Sequence, residues 1–161
     1  MTTLAQATAT LATLIASEAA VVERFVDLLT QEQEALKTGQ TDPLPELANA
    51  KAPLTVELNQ LAVRRNQYLA SLGLPADKDG VEALLQRQAS TELADSWERM
   101  RQAVATAREL NDLNGQLINM RLQYTQQALH TLMATQRQTE QFYGKNGQPS
   151  QFTGRRIIDA A

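Results

Sequence analysis

The chain is poor in histidine and cysteine, the side chains on which many catalytic and metal sites depend. It has one histidine, His130, and no cysteine. A carboxylate-bridged metal pair in a helical bundle needs Glu-x-x-His on two helices, but Gln127 lies three positions before His130. A serine nucleophile would depend on the same histidine, and no nucleophile-elbow motif lies near it. We interpret His130 as a surface residue of a helix and predict no enzyme, no metal and no cofactor.

Charge and hydropathy make two further partner classes improbable. The 15 basic and 18 acidic residues are spread along the chain and give a net charge of -3, so we expect no nucleic-acid partner. Gly144 and Gly147 follow a predicted helix rather than opening one, which argues against a phosphate-binding loop. We expect no signal peptide and no stretch of about 18 apolar residues that could span a membrane. Together with the lack of cysteine, this predicts a soluble cytoplasmic protein without membrane insertion.

The elements that must position any functional residue are helices. Hydrophobic residues make up 43% of the chain and aromatic residues 4%, a balance typical of helical bundles. We predict an all-α fold, an elongated antiparallel bundle of three long helices with a short connector helix and a flexible C-terminal tail. The predicted long helices cover residues 3–37, 43–72 with a kink near Pro53, and 90–142, and the predicted connector covers residues 80–88.

Polar residues interrupt the apolar seams of the first two helices. Thr8, Glu18 and Glu32 fall within the seam of the first helix. We favour the interpretation that they are ordinary flanking residues, and the alternative is that one side of this helix is only partly covered. Lys51 and Arg65 fall on the stripe of the second helix, where their aliphatic stems can lie along apolar surface.

Capping residues predict where the helices begin and end. Asp42 is predicted to cap the second helix, with Pro43 at its first helical position, and Gly73 is predicted to end it. Ser90 or Thr91 is predicted to cap the last helix.

The last helix is predicted to bury apolar residues along most of its length and then to project. Its predicted core positions include Leu93, Trp97, Met100, Val104, Leu113, Met120, Tyr124, Leu129 and Leu132. The following residues, up to Gln141, have almost no apolar face, so we expect the far end to have little reason to dock on its own bundle. The aromatic pair Phe142-Tyr143 then stands where the helix must end, as a presented contact.

Three segments resemble those of the FlgN family of flagellar export chaperones, which serve the hook-filament junction proteins. They are Arg108-Glu109-Leu110-Asn111-Asp112-Leu113-Asn114-Gly115, Tyr143-Gly144-Lys145-Asn146-Gly147-Gln148 and Gly154-Arg155-Arg156-Ile157-Ile158. The resemblance implies a cytosolic chaperone that binds the disordered terminal segments of the junction proteins FlgK and FlgL. It also implies docking on the cytosolic domain of the export gate.

The resemblance assigns these roles to the C-terminal part of the chain. It implies that cargo binds at the end of the long helix and beyond, and we predict contacts by Leu129, Leu132, Met133, Phe152, Ile157 and Ile158. It implies that Tyr143, with Gly144, docks on the export gate. We expect residues 1–143 to form one helical chaperone domain and residues 144–161 to form the flexible tail that binds cargo or another partner.

Two other functions stay open at this point. A structural coiled-coil subunit could be held by the same seams, although the polar run from Thr135 to Gln141 argues against a stripe that continues to the helix end. A chaperone for another flagellar cargo, such as the filament cap protein, is the nearer alternative. A weak homo-oligomer is compatible with each function.

Overall fold

The computed structural model describes the backbone of residues 3–142 and the side chains of residues 3–139. Within them the chain forms four helices and no strand: α1 (Leu4–Thr38), α2 (Leu44–Ser71), α3 (Lys78–Arg87) and α4 (Thr91–Phe142). This confirms the all-α prediction of three long helices and a short connector. The predicted tail, with the domain boundary after residue 143, lies outside the described residues.

The chain divides into two compact units, which we call the bundle unit (residues 1–118) and the C-terminal unit (residues 119–161). The bundle unit contains α1, α2, α3 and the first part of α4. The C-terminal unit contains the remainder of α4.

Local capping interactions define the helix ends largely as the sequence predicts. Ser90 Oγ accepts a hydrogen bond from the Leu93 amide, at 3.2 Å, and so caps α4. Gly73 follows α2 with a φ of 68°, a left-handed conformation that favours glycine. The Leu74 amide donates to the Leu69 carbonyl and the Gly73 amide donates to the Ala70 carbonyl, which is the Schellman pattern of a helix C-terminus.

The predicted start of α2 is wrong by one residue. Pro43, not Asp42, is the N-cap, and no side chain caps the helix. Pro45 occupies the first turn instead, where the missing amide hydrogen has no helical acceptor. α2 then continues without a break through Pro53, so the helix does not restart there.

Ion pairs establish that α1 and α2 run antiparallel. Arg65 Nη1 lies 2.7 Å from Glu18 Oε2, and Lys51 Nζ lies 2.8 Å from Glu32 Oε1. The residue numbers of the partners therefore decrease along α2 as those of α1 increase, which is the order of antiparallel helices. Both pairs join the two helices through side chains that are mostly shielded from solvent.

The bundle-unit part of α4 runs parallel to α1. Arg99 makes a two-pronged hydrogen bond to Glu23, with both distances 2.6 Å. Further along both helices, Asn114 Nδ2 donates to the Leu29 carbonyl at 2.9 Å. α1 therefore contacts both α2 and α4, and it supplies most of the buried residues of the bundle unit.

The flanking interpretation of Thr8, Glu18 and Glu32 is wrong, because all three are buried. Each finds a polar partner that the sequence alone did not assign to it. Glu32 joins three helices, since its second oxygen accepts a hydrogen bond from Asn114 of α4, at 2.9 Å, while the first oxygen pairs with Lys51 of α2. Buried charges are tolerated when they are paired in this way.

Glu18 is the most deeply buried charged residue among those described, with 2% of its surface exposed. Burial raises the pKa of its carboxyl above the ordinary value, and the nearby Arg65 charge only partly opposes that effect. Within the described residues its Oε1 atom has no hydrogen-bond partner. An unsatisfied oxygen of this kind favours the protonated form.

An apolar core ties α3 to the other helices. Its fully buried members include Leu11 and Ile15 of α1, Leu69 of α2, Leu84 of α3 and Leu93 of α4. At Gly80 of α3 an added Cβ would collide with the backbone carbonyl of Pro75, so only glycine allows this close approach.

α1 has the length and composition of a membrane-spanning helix, with a mean hydropathy of 1.3 over its most apolar window. The sequence analysis did not expect a segment of this kind. Half of that window is buried inside the protein, as in a core helix of a soluble fold. The contacts of α1 with both α2 and α4 account for its apolarity.

Candidate functional site: an exposed apolar face on α4

The described part of the C-terminal unit exposes its large apolar side chains. Leu122, Leu129, Leu132 and Met133 all lie on the solvent-accessible surface, and Leu132 is 68% exposed. Between residues 119 and 139 no side chain is buried. A cluster of exposed apolar side chains is typical of a surface that binds another molecule.

These four residues form one stripe, which we call the α4 apolar face. At about 100° per residue they fall within an arc of roughly 100° around the helix axis. From Leu122 to Met133 the stripe covers 11 helical steps, or about 16 Å along the axis. This geometry suits a second amphipathic helix laid alongside α4, with anchors spaced by three and four residues.

The threonine hydroxyls on this stretch are satisfied within the helix itself. Thr125 lies on the apolar face between Leu122 and Leu129, and its hydroxyl donates to the Arg121 carbonyl at 2.9 Å. Thr131 bonds in the same way to the Gln127 carbonyl, at 3.0 Å. Hydroxyls bonded back to the helix need no partner, so an apolar ligand can cover them without losing a hydrogen bond.

Charge is sparse along this stretch. Residues 119–139 contain no aspartate and no glutamate, and their only arginines are Arg121 and Arg137. His130 is exposed, as the sequence analysis interprets it. Within the part of the chain that the structure describes, no group of three histidine or acidic residues is placed to hold a metal.

The structure brings together three of the six predicted cargo-binding residues. Leu129, Leu132 and Met133 share the α4 apolar face and are all exposed. The other three, Phe152, Ile157 and Ile158, lie outside the described residues. The predicted gate-docking residues Tyr143 and Gly144 lie outside them as well.

Two corrections apply to α4. The core positions predicted at Leu113, Met120, Tyr124, Leu129 and Leu132 are wrong, because all five side chains are exposed, with Tyr124 66% exposed. The expectation failed because apolar spacing identifies a stripe but not whether another helix covers it. Sequence reasoning also missed Leu122, although its spacing of seven residues from Leu129 was a readable signal.

Comparisons with known proteins agree on one family. A family profile described as FlgN protein matches residues 1–151. Two curated relatives named Flagella synthesis protein FlgN, from Salmonella typhimurium and Salmonella typhi, are each 26% identical over 130 residues, covering 81% of this chain and 83% of the relative. A comparison with solved structures finds no significant match.

Proposed function

The chain belongs to the FlgN family, and from that membership we propose that it is a cytosolic type III flagellar export chaperone. Its proposed cargo is the disordered terminal segments of the hook-filament junction proteins FlgK and FlgL. Binding would cover the cargo segments and so prevent their premature assembly. The complex would then pass to the cytosolic domain of the export gate. The role needs binding surfaces and no catalytic group.

The observation that supports this proposal most directly is the exposed α4 apolar face. A terminal segment that becomes helical on binding would lay its apolar side chains along Leu122, Leu129, Leu132 and Met133. Burying each such side chain is worth about 1.5–3 kcal/mol before costs. Ordering the cargo removes about 2–5 kcal/mol of that gain, so we expect a moderate affinity and release without a chemical step.

The C-terminal residues extend the proposal beyond the described structure. Phe152, Ile157 and Ile158 would add apolar contacts to the same cargo. Tyr143, with Gly144, would dock on the export gate, where a tyrosine ring offers a large flat contact and a hydroxyl at low entropic cost.

Calorimetric titration with FlgK and FlgL terminal segments tests the cargo site. The variant Leu129→Ser/Leu132→Ser should weaken binding at least about tenfold, because two anchors are lost. Val56→Ser/Val63→Ser is the matched control, since both valines are exposed on α2 in the bundle unit. Equal affinities for the two variants would contradict the proposed site, and no binding by the intact chain would contradict the proposed cargo.

Truncation after residue 139 separates the tail from the α4 apolar face. Weaker cargo binding by the truncated chain would assign part of the affinity to the residues beyond Thr139. Tyr143→Ala tests the gate contact by itself. It should weaken binding to the export-gate cytosolic domain and leave cargo titrations unchanged, and unchanged gate binding would contradict the role of Tyr143.

A further inference from the structure

A second candidate binding surface lies within the bundle unit and uses none of the residues of the α4 apolar face. Two cavities of about 360 and 500 Å³ open beside α4 and share Val104 and Arg108 as lining residues. The shared residues lie one turn apart, so the two cavities adjoin along α4, and we treat the pair as one surface. We call it the α4 groove.

The groove follows the helix axis. Its α4 residues, from Trp97 at one end to Asp112 at the other, recur at spacings of three and four, which places them on one face. Fifteen helical steps correspond to about 22 Å, or four turns. α2 supplies the facing residues Arg65 and Leu58, seven positions apart and in antiparallel order. The two cavities together therefore have the length to accommodate a helix of about 15 residues.

One end of the groove is basic. Arg65, Lys78, Arg101 and Arg108 line it, and the only carboxylate among its lining residues is Glu82. Lys78, Arg101 and Arg108 are exposed, and their side chains form no hydrogen bond or ion pair with another described residue. By contrast, Arg65 is already held by Glu18. The lining residues of the two cavities together include four cations and two carboxylates, Glu82 and Asp112, so positive charge is in excess.

The other end of the groove is apolar. Val22 and Phe25 of α1, Leu58 of α2 and Ala107 of α4 line it, with Asp112 at its margin. Leu58 and Ala107 are only half-buried, although both pack against the core. Apolar side chains left half-open beside a core gain free energy when a ligand covers them.

We propose that the α4 groove binds an acidic amphipathic helix of a partner protein. The apolar side chains of that helix would cover Phe25, Leu58 and Ala107, and its carboxylates would pair with Lys78, Arg101 and Arg108. Arginine is well suited to this pairing because its planar guanidinium can bind a carboxylate through two hydrogen bonds.

The layout of the groove favours a helix over other anionic ligands. Arg101 and Arg108 are two turns apart, about 10 Å along α4, so one small anion could not engage both fully. A nucleic acid would leave the apolar end uncovered, and three free cations provide few phosphate contacts. An acidic helix matches both ends of the groove at once.

The single tryptophan of the chain provides the test, because Trp97 lines the basic end. The probe is a tryptophan-free synthetic helical peptide of about 16 residues, with leucines along one stripe and glutamates towards one end. Its partner probe carries lysine in place of each glutamate. We expect the acidic peptide to change Trp97 fluorescence with saturation and the basic peptide to have no effect.

Charge reversal locates the contact. The Arg101→Glu/Arg108→Glu variant should bind the acidic peptide at least about tenfold more weakly and should bind the basic peptide instead. The matched control is Arg64→Glu/Arg87→Glu, which makes the same charge change at exposed positions outside the groove. The control should bind like the unmodified chain, and binding should weaken as salt is raised. If charge reversal disturbs folding by circular dichroism, Arg101→Gln/Arg108→Gln provides the same comparison.

Several results would overturn the proposal. These are equal binding of both peptides, no saturable response, equal loss in the control variant, or displacement of the peptide by inorganic phosphate or duplex DNA at comparable concentration. The inference is independent of the proposed cargo site. Arg101→Glu/Arg108→Glu should still bind FlgK and FlgL segments, and Leu129→Ser/Leu132→Ser should still bind the acidic peptide.

Discussion

The two parts of α4 have similar apolar residues but differ in what covers them. In the bundle unit, Leu93, Met100 and Ala103 are buried, whereas in the C-terminal unit Leu122, Leu129 and Leu132 are exposed. Both parts are helical, so the difference does not lie in backbone structure. The comparison teaches that apolar side chains on one helix can serve stability at one end and be available for binding at the other.

This division also explains how an exposed stretch can remain helical. Helix formation is limited by nucleation, and adding a residue to an existing helix is much easier than starting one. The packed residues of α4 supply the nucleus. Residues 119–139 then extend it with alanine, leucine, methionine, glutamine and arginine, which are good helix formers.

The largest expected effect comes from the same substitution in the two parts of α4. Leu93→Ala should destabilise the protein by about 2–5 kcal/mol, because it leaves a cavity at a fully buried position. Leu132→Ala should change the free energy of unfolding by less than about 0.5 kcal/mol. Denaturant unfolding of both variants measures the difference, and similar losses would show that the second part of α4 is packed.

The next largest effect should come from the buried polar cluster formed by Glu32, Lys51 and Asn114. Asn114→Ala removes the hydrogen bonds to the Leu29 carbonyl and to Glu32 and should cost about 1–3 kcal/mol. Gln126→Ala is the control, because it changes an exposed amide of the same helix. If Asn114→Ala and Gln126→Ala lower the thermal stability equally, the polar cluster does not contribute to stability.

The pH dependence of stability should reveal the buried carboxylate of the bundle unit. Because the folded-state pKa of Glu18 is raised, its stabilising contribution is present below the ordinary pKa and is lost as pH rises through the folded value. Unfolding experiments on Glu18→Gln should therefore lack this decline.

The pH dependence of stability expected from Glu23 has the opposite sign to that from Glu18. The hydrogen bond from Arg99 lowers the pKa of the Glu23 carboxyl, so its contribution is present at higher pH and is lost as pH falls. Glu23→Gln should lose stability chiefly above the ordinary pKa. The same slope for both variants would contradict the assigned environments.

The smallest effect should come from the exposed ion pair between Arg24 and Glu57, whose atoms lie 2.8 Å apart. Arg24→Gln should cost at most about 0.5 kcal/mol, because both side chains are about half exposed and salt screens them. Such a change would be as small as that of Leu132→Ala. A larger loss that persists at high salt would show that this pair is shielded in solution.

Sequence reasoning worked best where the determining interactions are local. The Gly73 terminus and the Ser90 cap follow from residues within one turn of each helix end. The cap at Asp42 was misassigned because Pro45 also satisfies the requirements of a first turn. Leu129, Leu132 and Met133 were predicted as contacts, and the structure shows that they are exposed together. Their role in binding cargo stays a prediction.

The sequence by itself determined the helices and their order, because helical periodicity and capping depend on neighbours in the chain, and the resemblance of three segments indicated the family. Only the tertiary structure decided which polar residues are buried and which apolar ones are exposed. Glu32 is buried because Lys51 and Asn114 approach it from two other helices. Tyr124 is exposed although its spacing suits a core. Burial depends on what lies against each turn of a helix, which spacing along the chain does not specify.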